Sequence, residues 1–239
     1  MKLFGSSGLR GLINFELTPI LAVKVGMAVG ACAKAGKVLV ARDTRNSGLM
    51  LENALVSGLM ACGAKVYCLG VLPTPVLAYL TKRLGADAGL MVTASHNPPQ
   101  YNGIKIFDKN GMAYDERCQG KLEKIIERGD FGLAEWRNLG RVEYGDESQL
   151  YVDVVLKSLK LGKKWRVVVD PGCGATSHIA PKIFQMLGCE VKAINSQLDG
   201  FFPCRSPEPN AESLKPLSKI VKKLKADIGV AYDGDGDRV

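Results

Sequence analysis

Histidine, paired cysteines and long apolar runs are scarce in this sequence of 239 residues. It has only two histidines, and its seven cysteines are scattered, with no Cys-x-x-Cys pair. This pattern argues against a structural zinc site and favours reduced thiols, as in a cytoplasmic protein. No stretch has the length and apolarity of a membrane span, and the N-terminus lacks the apolar core of a secretory signal. We therefore expect a cytoplasmic protein with no membrane partner.

The net charge of +8 suggests nucleic-acid binding, but the sequence lacks the other marks of that function. The densest basic run, residues 215–225, has apolar side chains at helical spacing, which predicts a helix with a solvated basic surface. No aromatic residue interleaves with this run to stack on bases. We expect no nucleic-acid partner, and the positive charge suits an anionic small substrate.

Short apolar runs alternate with helical patterns along the whole chain. Buried strands are predicted at residues 38–41, 65–69, 88–92, 104–107, 166–170, 190–194 and 228–231. Helices are predicted near residues 18–35, 47–63, 75–84, 115–128, 148–159 and 215–225, with another ending at residue 188. Strands that alternate with helices of this length indicate an α/β fold with a wound sheet.

The polar, glycine-rich stretch at residues 129–147 predicts a domain boundary. Residues 86–92 and 226–231 share a polar turn, a glycine and a buried strand, and each precedes a polar motif. This repeat predicts two similar α/β domains, residues 1–145 and 146–239. Open α/β sheets bind ligands at the carboxyl ends of their strands, so both polar motifs are candidate sites.

A glycine-rich turn, Pro171-Gly-Cys-Gly174, follows the predicted strand at residues 166–170. Such a turn invites a dinucleotide-binding interpretation. It lacks the full G-x-G-x-x-G pattern, however, and Pro171 fits that pattern poorly, so we do not favour dinucleotide binding.

The first polar motif, Thr-Ala-Ser-His-Asn-Pro at residues 93–98, places the single hydroxyl of Ser95 on a tight turn. The structural alternative is a plain Asn-Pro turn in which His96 is an ordinary loop imidazole. A Ser–His hydrolase is disfavoured, because adjacent side chains diverge and His96 could not easily serve Ser95 as a base.

The second polar motif, Asp-Gly-Asp-Gly-Asp-Arg at residues 233–238, has three carboxylates at alternate positions. Alternate residues of an extended segment point the same way, so the carboxylates can converge on one hard cation. An EF-hand loop begins similarly, but it needs Gly at its sixth position and Glu at its twelfth. Here Arg238 is the sixth residue and the chain stops at Val239, which argues against an EF-hand.

In this order, the two motifs resemble those of the alpha-D-phosphohexomutase family. These enzymes move phosphate between the 1- and 6-positions of hexose phosphates through a phosphoserine. Further stretches similar to the family lie at residues 4–11, 101–105 and 202–209. The resemblance implies two α/β/α sandwich domains with mixed, mostly parallel sheets, the second incomplete at its C-terminus.

The resemblance also implies roles for individual side chains. The catalytic residues would be Ser95, which carries the phosphate, with Arg10, His96 and Lys105, of which Lys105 and secondarily His96 would move a proton. The residues that bind phosphate or substrate would be Arg10, Asn97 and Arg238. The ligands of a Mg²⁺ cofactor would be Asp233, Asp235, Asp237 and an oxygen of phosphorylated Ser95. A hexose 1,6-bisphosphate would act as an activator.

Full-length members of the family have four domains, and the third and fourth carry the sugar-reading and phosphate-binding loops, which are absent here. We therefore expect little mutase turnover from these 239 residues alone. Glucosamine phosphate is the favoured substrate, with mannose or glucose phosphate as alternatives. A non-catalytic metal- and phosphate-binding module that pairs with another chain stays open, as does a homo-oligomer.

Overall fold

A computed structural model of the chain describes residues 3–5 and 8–239, so residues 6 and 7 of the N-terminal signature lie outside the described part. The strands are β1 (Leu9–Leu12), β2 (Lys37–Arg42), β3 (Lys65–Val71), β4 (Ala88–Val92), β5 (Tyr101–Asp108), β6 (Arg141–Tyr144), β7 (Arg166–Asp170), β8 (Glu190–Ala193) and β9 (Ile228–Ala231). The helices are α1 (Pro19–Ala33), α2 (Gly48–Ala61), α3 (Thr74–Arg83), α4 (Glu116–Arg128), α5 (Ser148–Ser158), α6 (Ile179–Met186) and α7 (Lys215–Leu224). None of these helices is both long and apolar enough to cross a bilayer.

Strands β1 to β6 form one mixed sheet in the order β1-β5-β4-β2-β3-β6. Strands β4, β2, β3 and β6 run parallel, whereas β5 and β1 are antiparallel to their neighbours. Helices α1, α2 and α4 contribute to the core on one face, and α3 packs on the other. The centre of this sheet is apolar on both faces because helices cover both, which is why β2 and β4 appear in the sequence as continuous apolar runs.

Strands β7, β8 and β9 form a second sheet, parallel throughout, in the order β8-β7-β9. Alternate residues of β7 face opposite cores: Val167 and Val169 pack with α6, and Val168 packs with Leu217 of α7. The predicted α/β class with mostly parallel sheets covered by helices is therefore confirmed.

The predicted linker at residues 129–147 is not wholly a linker. Strand β6 lies within it and pairs in parallel with β3, with Lys65 opposite Arg141. Three of its four residues are exposed, as expected for a polar edge strand, and so they give no apolar signal. Strand β1 was not predicted either. We propose a division near residue 145, which leaves β6 with the first sheet.

The two sheets share apolar contacts through the helices between them. Val152 of α5 and Ile179 of α6 belong to the same core cluster as Leu77 and Leu80 of α3. The Tyr79 and Tyr151 rings meet edge to face with centroids 5.7 Å apart. This packing brings the loop after β4 next to the loop after β9.

Candidate active site

The loop after β4 holds Ser95 in a strained, hydrogen-bonded conformation. Ser95 has a left-handed backbone (φ 53°) and is only 2% exposed. Its N–H donates to Thr93 Oγ1 at 2.8 Å, and the Asn97 N–H donates to the Ala94 carbonyl at 3.0 Å. A left-handed conformation at a residue other than glycine is strained, and such strain is concentrated at functional sites.

A buried arginine holds the loop after β4, residues 93–101, which we call the serine loop. The Arg45 side chain is fully buried and pairs with Asp43 at 3.0 Å. Its guanidinium donates to four backbone carbonyls of the loop, those of Ser95, Asn97, Pro98 and Tyr101. Arg45 was not predicted as a site residue, although the polar run Arg-Asp-Thr-Arg directly after an apolar strand was a signal that could have identified it.

The carboxylates of the second motif converge for a different reason from the one predicted. The segment is not extended after β9 but curls into a turn, in which the Gly236 N–H donates to the Asp233 carbonyl at 3.2 Å. Asp233 Oδ1 accepts from the Asp237 and Arg238 N–H groups at 3.1 and 3.2 Å. The expectation of an extended segment was wrong, and the turn itself points the three side chains inward.

These three carboxylates fit a hard cation. Asp233, Asp235 and Asp237 each offer a ligand oxygen, and these oxygens lie within 4.8 Å of one another. Asp235 Oδ1 is buried and has no hydrogen-bond partner among the described residues. Burial, together with the charge of Asp235, raises the pKa of Asp233 to about 7. This all-oxygen ligand set is suited to a hard cation such as Mg²⁺.

The serine loop contacts the second motif, residues 233–238, which we call the aspartate loop. Ser95 Oγ donates to Asp233 Oδ2 at 2.6 Å, and Arg238 Nη2 donates to Ser95 Oγ at 3.2 Å. Gly234 lies so close to the serine loop that a Cβ there would be 2.6 Å from the Ser95 carbonyl oxygen, so glycine is required. The two motifs, 138 residues apart, therefore form one site.

Lys105, on β5, points into the carboxylate cluster. Its Nζ donates to Asp235 Oδ2 and to Asp237 Oδ2, each at 2.6 Å. Burial alone would lower the pKa of Lys105, but the charges and hydrogen bonds of the two carboxylates outweigh it and raise that pKa. Lys105 is therefore held as an ammonium between two carboxylates.

Arg10 approaches the serine loop from β1. Its Nη1 donates to Asn97 Oδ1 at 3.1 Å, while its buried Nε has no partner among the described residues. Burial and the charge of Arg10 lower the pKa of Arg238. Both arginines line a cleft of about 490 Å³ that also contains Ser95 and Lys105. Two cations and an unpaired donor beside a hydroxyl are suited to an anion such as phosphate.

His96 lies closer to Ser95 than predicted. Its Nδ1 is 3.4 Å from Ser95 Oγ, so the expectation that the two side chains diverge was wrong. The imidazole also contacts the Arg238 guanidinium, and its Nε2 is 3.7 Å from Glu208 Oε2. The Ser95 hydroxyl nevertheless donates to Asp233 rather than to the histidine, so the contact does not create a Ser–His pair.

Comparison with family models covers nearly the whole chain. The model described as phosphoglucomutase/phosphomannomutase, alpha/beta/alpha domain I, matches residues 1–133, and the corresponding domain II model matches residues 148–239. The chain belongs to the phosphoglucomutase/phosphomannomutase family. The resemblance to phosphohexomutases found in the sequence is therefore confirmed.

Relatives in this family include two archaeal proteins named "Probable phosphoglucosamine mutase". The one from Pyrococcus abyssi is 48% identical over 238 residues, and the one from Methanobrevibacter smithii is 46% identical over 241 residues. These alignments cover all of this chain but 52% and 54% of the relatives. The chain thus spans about half the length of the curated relatives it matches.

Solved structures of the family have the same fold. A phosphoglucomutase/phosphomannomutase family protein from Burkholderia thailandensis superposes with a TM-score of 0.90 at 35% identity, covering 99% of this chain and 53% of that one. A putative phosphomannomutase from Thermus thermophilus gives 0.87 at 29% identity, covering 98% and 55%.

The structure brings all the site residues predicted from the family motifs together: six of them line the cleft, and Asn97, Asp233 and Asp235 form hydrogen bonds with those that do. These residues are Arg10, Ser95, His96, Asn97, Lys105, Asp233, Asp235, Asp237 and Arg238. Their roles remain predictions. The supporting residues Arg45 and Glu208 were not predicted. Nor was Thr74, whose N–H donates to the Asp235 carbonyl at 2.8 Å and whose hydroxyl donates to the Asp235 carboxylate.

Proposed function

We propose that this chain provides the phosphoserine and metal-binding part of a phosphohexomutase, which interconverts hexose 6-phosphate and hexose 1-phosphate in the cytoplasm. The observation that supports this most strongly is the 2.6 Å hydrogen bond from Ser95 Oγ to Asp233, inside a cluster of three carboxylates. A hydroxyl held against a hard-cation site and two arginines is arranged for phosphoryl transfer, where positioning and charge neutralisation supply most of the catalysis.

The transfer uses Ser95 alternately as donor and acceptor. A phosphate on Ser95 moves to a free hydroxyl of the hexose phosphate: the bond from phosphorus to Ser95 Oγ breaks, and a bond to the sugar oxygen forms. The product is a hexose 1,6-bisphosphate, which explains why that compound would act as an activator. Its other phosphate then returns to Ser95, and the sugar leaves as the isomeric monophosphate.

The proposed mechanism also needs groups that move protons. Lys105 is held as an ammonium by Asp235 and Asp237, so it can donate to the sugar oxygen that leaves when phosphate returns to Ser95. In the same step Ser95 loses its hydroxyl proton to Asp233 Oδ2, which accepts the hydrogen bond from Ser95 Oγ at 2.6 Å. His96 is the second candidate, because its Nδ1 is 3.4 Å from Ser95 Oγ but already contacts the Arg238 guanidinium. In the opposite direction the two proton movements reverse.

Arg10 and Arg238 bind the phosphate. The Arg10 Nε has no partner among the described residues, and Arg238 Nη2 already donates to Ser95 Oγ at 3.2 Å. Asn97 accepts a hydrogen bond from Arg10 and keeps its guanidinium beside the serine loop. These charges fit the spread of negative charge over the phosphoryl oxygens.

Mg²⁺ is the proposed cofactor, held by Asp233, Asp235, Asp237 and an oxygen of phosphorylated Ser95. When bound, it supplies positive charge against the transferring phosphoryl group. The unpaired Asp235 Oδ1 and the clustered ligand oxygens support this assignment.

Glucosamine phosphate is the proposed substrate. The support is the name of the archaeal relatives that are 46–48% identical over the whole chain. Mannose and glucose phosphates are the alternatives, since the family name includes both activities. We propose no nucleic-acid or membrane partner.

Phosphate uptake tests the proposed function. The chain is incubated separately with the 1,6-bisphosphates of glucosamine, glucose and mannose, and its intact mass is measured. We expect one added phosphate, lost in Ser95→Ala and retained in Ser57→Ala, a matched change on the exposed side of α2. No uptake from any sugar would favour the non-catalytic module, and equal labelling of Ser95→Ala would exclude Ser95 as the acceptor.

A further inference from the structure

A segment of the second domain lies between the two active-site loops without supplying any of the predicted catalytic groups. This bridging segment, residues 199–205, folds back at Asp199, whose carbonyl accepts from the Phe202 N–H at 3.1 Å. The Asp199 N–H donates to the Cys173 carbonyl at 3.2 Å, which ties the segment to the turn after β7. The bridging segment is thus fixed in its own domain.

Phe202 projects from this segment toward both loops. It is 5% exposed and has a left-handed backbone (φ 52°), a strained conformation for an aromatic residue. Its ring lies over the Arg45 guanidinium, with 5.2 Å between the guanidinium carbon and the ring centroid. Its ring atom Cζ is also 3.4 Å from where a Cβ of Gly234 would lie.

The two arginines beside Phe202 hold different loops. Arg45 donates to carbonyls of the serine loop, as described above. Arg205 pairs with the buried Asp170 at 3.0 Å and donates to the Tyr232 carbonyl at 2.6 Å, just before the aspartate loop. The Phe202 ring thus lies over the Arg45 guanidinium and next to Gly234 of the aspartate loop.

The backbone next to Phe202 is equally close to the first domain. A Cβ at Gly200 would lie 2.3 Å from the Thr44 carbonyl oxygen and 2.7 Å from the Arg45 Cα, so glycine is required there. Close backbone contact and a buried cation–π contact are rigid features that resist a change in spacing.

We propose that Phe202 is a positioning residue that sets the distance between the phosphate on Ser95 and the metal-binding carboxylates. Three of the four metal ligands lie in the aspartate loop, and the fourth comes from the serine loop. A change in the spacing between the two loops therefore weakens the contribution of the fourth ligand to metal affinity more than that of the other three. This inference rests on the proposed function, because it requires that phosphorylated Ser95 ligates the metal.

The test compares Mg²⁺ affinity, measured by titration calorimetry, before and after phosphorylation of Ser95 in the full 239-residue chain. For the wild type we expect phosphorylation to tighten binding on the order of tenfold, because it adds an anionic ligand. In Phe202→Leu we expect this gain to fall below about threefold, since the cation–π contact is lost. Mg²⁺ affinity of the unphosphorylated variant should stay within about twofold of wild type, because its three ligands share one loop.

Phe201→Leu is the matched control. Phe201 is the adjacent aromatic residue but is 69% exposed, so the variant should retain the full gain. Phe202→Met, which keeps an apolar side chain without a ring, is measured beside Phe202→Leu in case one of them folds poorly. Mg²⁺ affinity is also measured in Ser95→Asp chains with and without the Phe202 substitutions. The introduced carboxylate supplies an anionic ligand at position 95 independently of phosphate uptake.

The outcomes separate the two proposals. A wild-type chain that gains no affinity on phosphorylation would overturn the proposed role of Ser95 as a metal ligand, and with it the inference. A wild-type gain that persists in both Phe202 variants would overturn only the role of Phe202. Equal loss of affinity in the phosphorylated and unphosphorylated variants would show a general structural role and would also overturn it.

Discussion

At the scale of single residues, Asp235 is the carboxylate whose contacts best fit the proposed metal site. One of its oxygens accepts from Lys105 at 2.6 Å, and the other is buried without a partner among the described residues. We expect Asp235→Asn to weaken Mg²⁺ binding about tenfold or more, because it removes a charged ligand from a crowded set. Calorimetry measures this, with Asp130→Asn, an exposed aspartate, as the control. Unchanged affinity would place the cation elsewhere.

The titration of Asp233 predicts how metal binding depends on pH. Burial first, and then repulsion from Asp235, raises the pKa of Asp233 to about 7 in the metal-free chain. The cation binds the deprotonated carboxylate, so binding below that pKa must release a proton. Mg²⁺ affinity should be nearly constant above about pH 8 and should fall about tenfold for each pH unit below about 6. Equal affinities at pH 5.5 and 8 would show that Asp233 is not protonated in the metal-free site.

The same shift has a defined effect on the stability of the metal-free chain. A carboxyl group with a raised pKa in the folded state binds more protons folded than unfolded between its ordinary pKa and about 7. Its contribution to stability is therefore lost as the pH rises through that window. Added Mg²⁺ should raise the melting temperature strongly at pH 8 and weakly at pH 5, which a thermal melt at both values can show.

At the scale of secondary-structure elements, the packing of α1 against α2 depends on glycine. A Cβ at Gly58 would lie 2.2 Å from the Val23 carbonyl oxygen of the facing helix, so Gly58→Ala should destabilise the chain by about 1–3 kcal/mol. Gly120→Ala in α4 is the matched control, because a Cβ there has no atom within 4 Å. It should instead stabilise by about 0.5–1 kcal/mol through helix propensity. Urea unfolding measures both, and equal effects would contradict the packing.

The support of the serine loop by Arg45 can be tested in the same way. Arg45→Met would leave the Asp43 carboxylate buried without its partner, together with four loop carbonyls. Removing one member of a buried ion pair costs about 3–5 kcal/mol, and we expect a loss of that order in urea unfolding. Arg141→Met, an exposed change at the sheet edge, should stay within about 0.5 kcal/mol. Similar losses in both variants would contradict the proposed support.

At the scale of the whole molecule, the strands that the sequence predicted are those whose apolar pattern lies within their own residues. Strands β2 and β4 are apolar on both faces, so continuous runs of buried residues identified them. Strand β6 could not be found in this way, because Arg141 and Glu143 face solvent and only pairing with β3 makes the segment a strand. Its position depends on a tertiary contact that no local pattern encodes.

The residues of the candidate site likewise fall into two groups, those that sequence motifs predict and those that only tertiary contacts reveal. Ser95 and the three aspartates were predicted because motifs carry their spacing. Arg45 and Phe202 were not, since their importance comes from buried contacts between segments more than 50 residues apart. The extended geometry assumed for the aspartate loop was wrong because it ignored the side chain of Asp233, which accepts two backbone N–H groups and closes the turn.

The central claim is that a phosphate on Ser95 and a cation in the aspartate loop share one site. Phosphorus NMR of the phosphorylated chain, titrated with Mn²⁺ as a paramagnetic substitute for Mg²⁺, tests it most directly. We predict that Mn²⁺ well below one equivalent broadens the phosphoserine resonance strongly, that excess Mg²⁺ restores it, and that Asp235→Asn weakens the effect. A phosphoserine resonance that stays sharp while Mn²⁺ binds the aspartate loop would contradict the account.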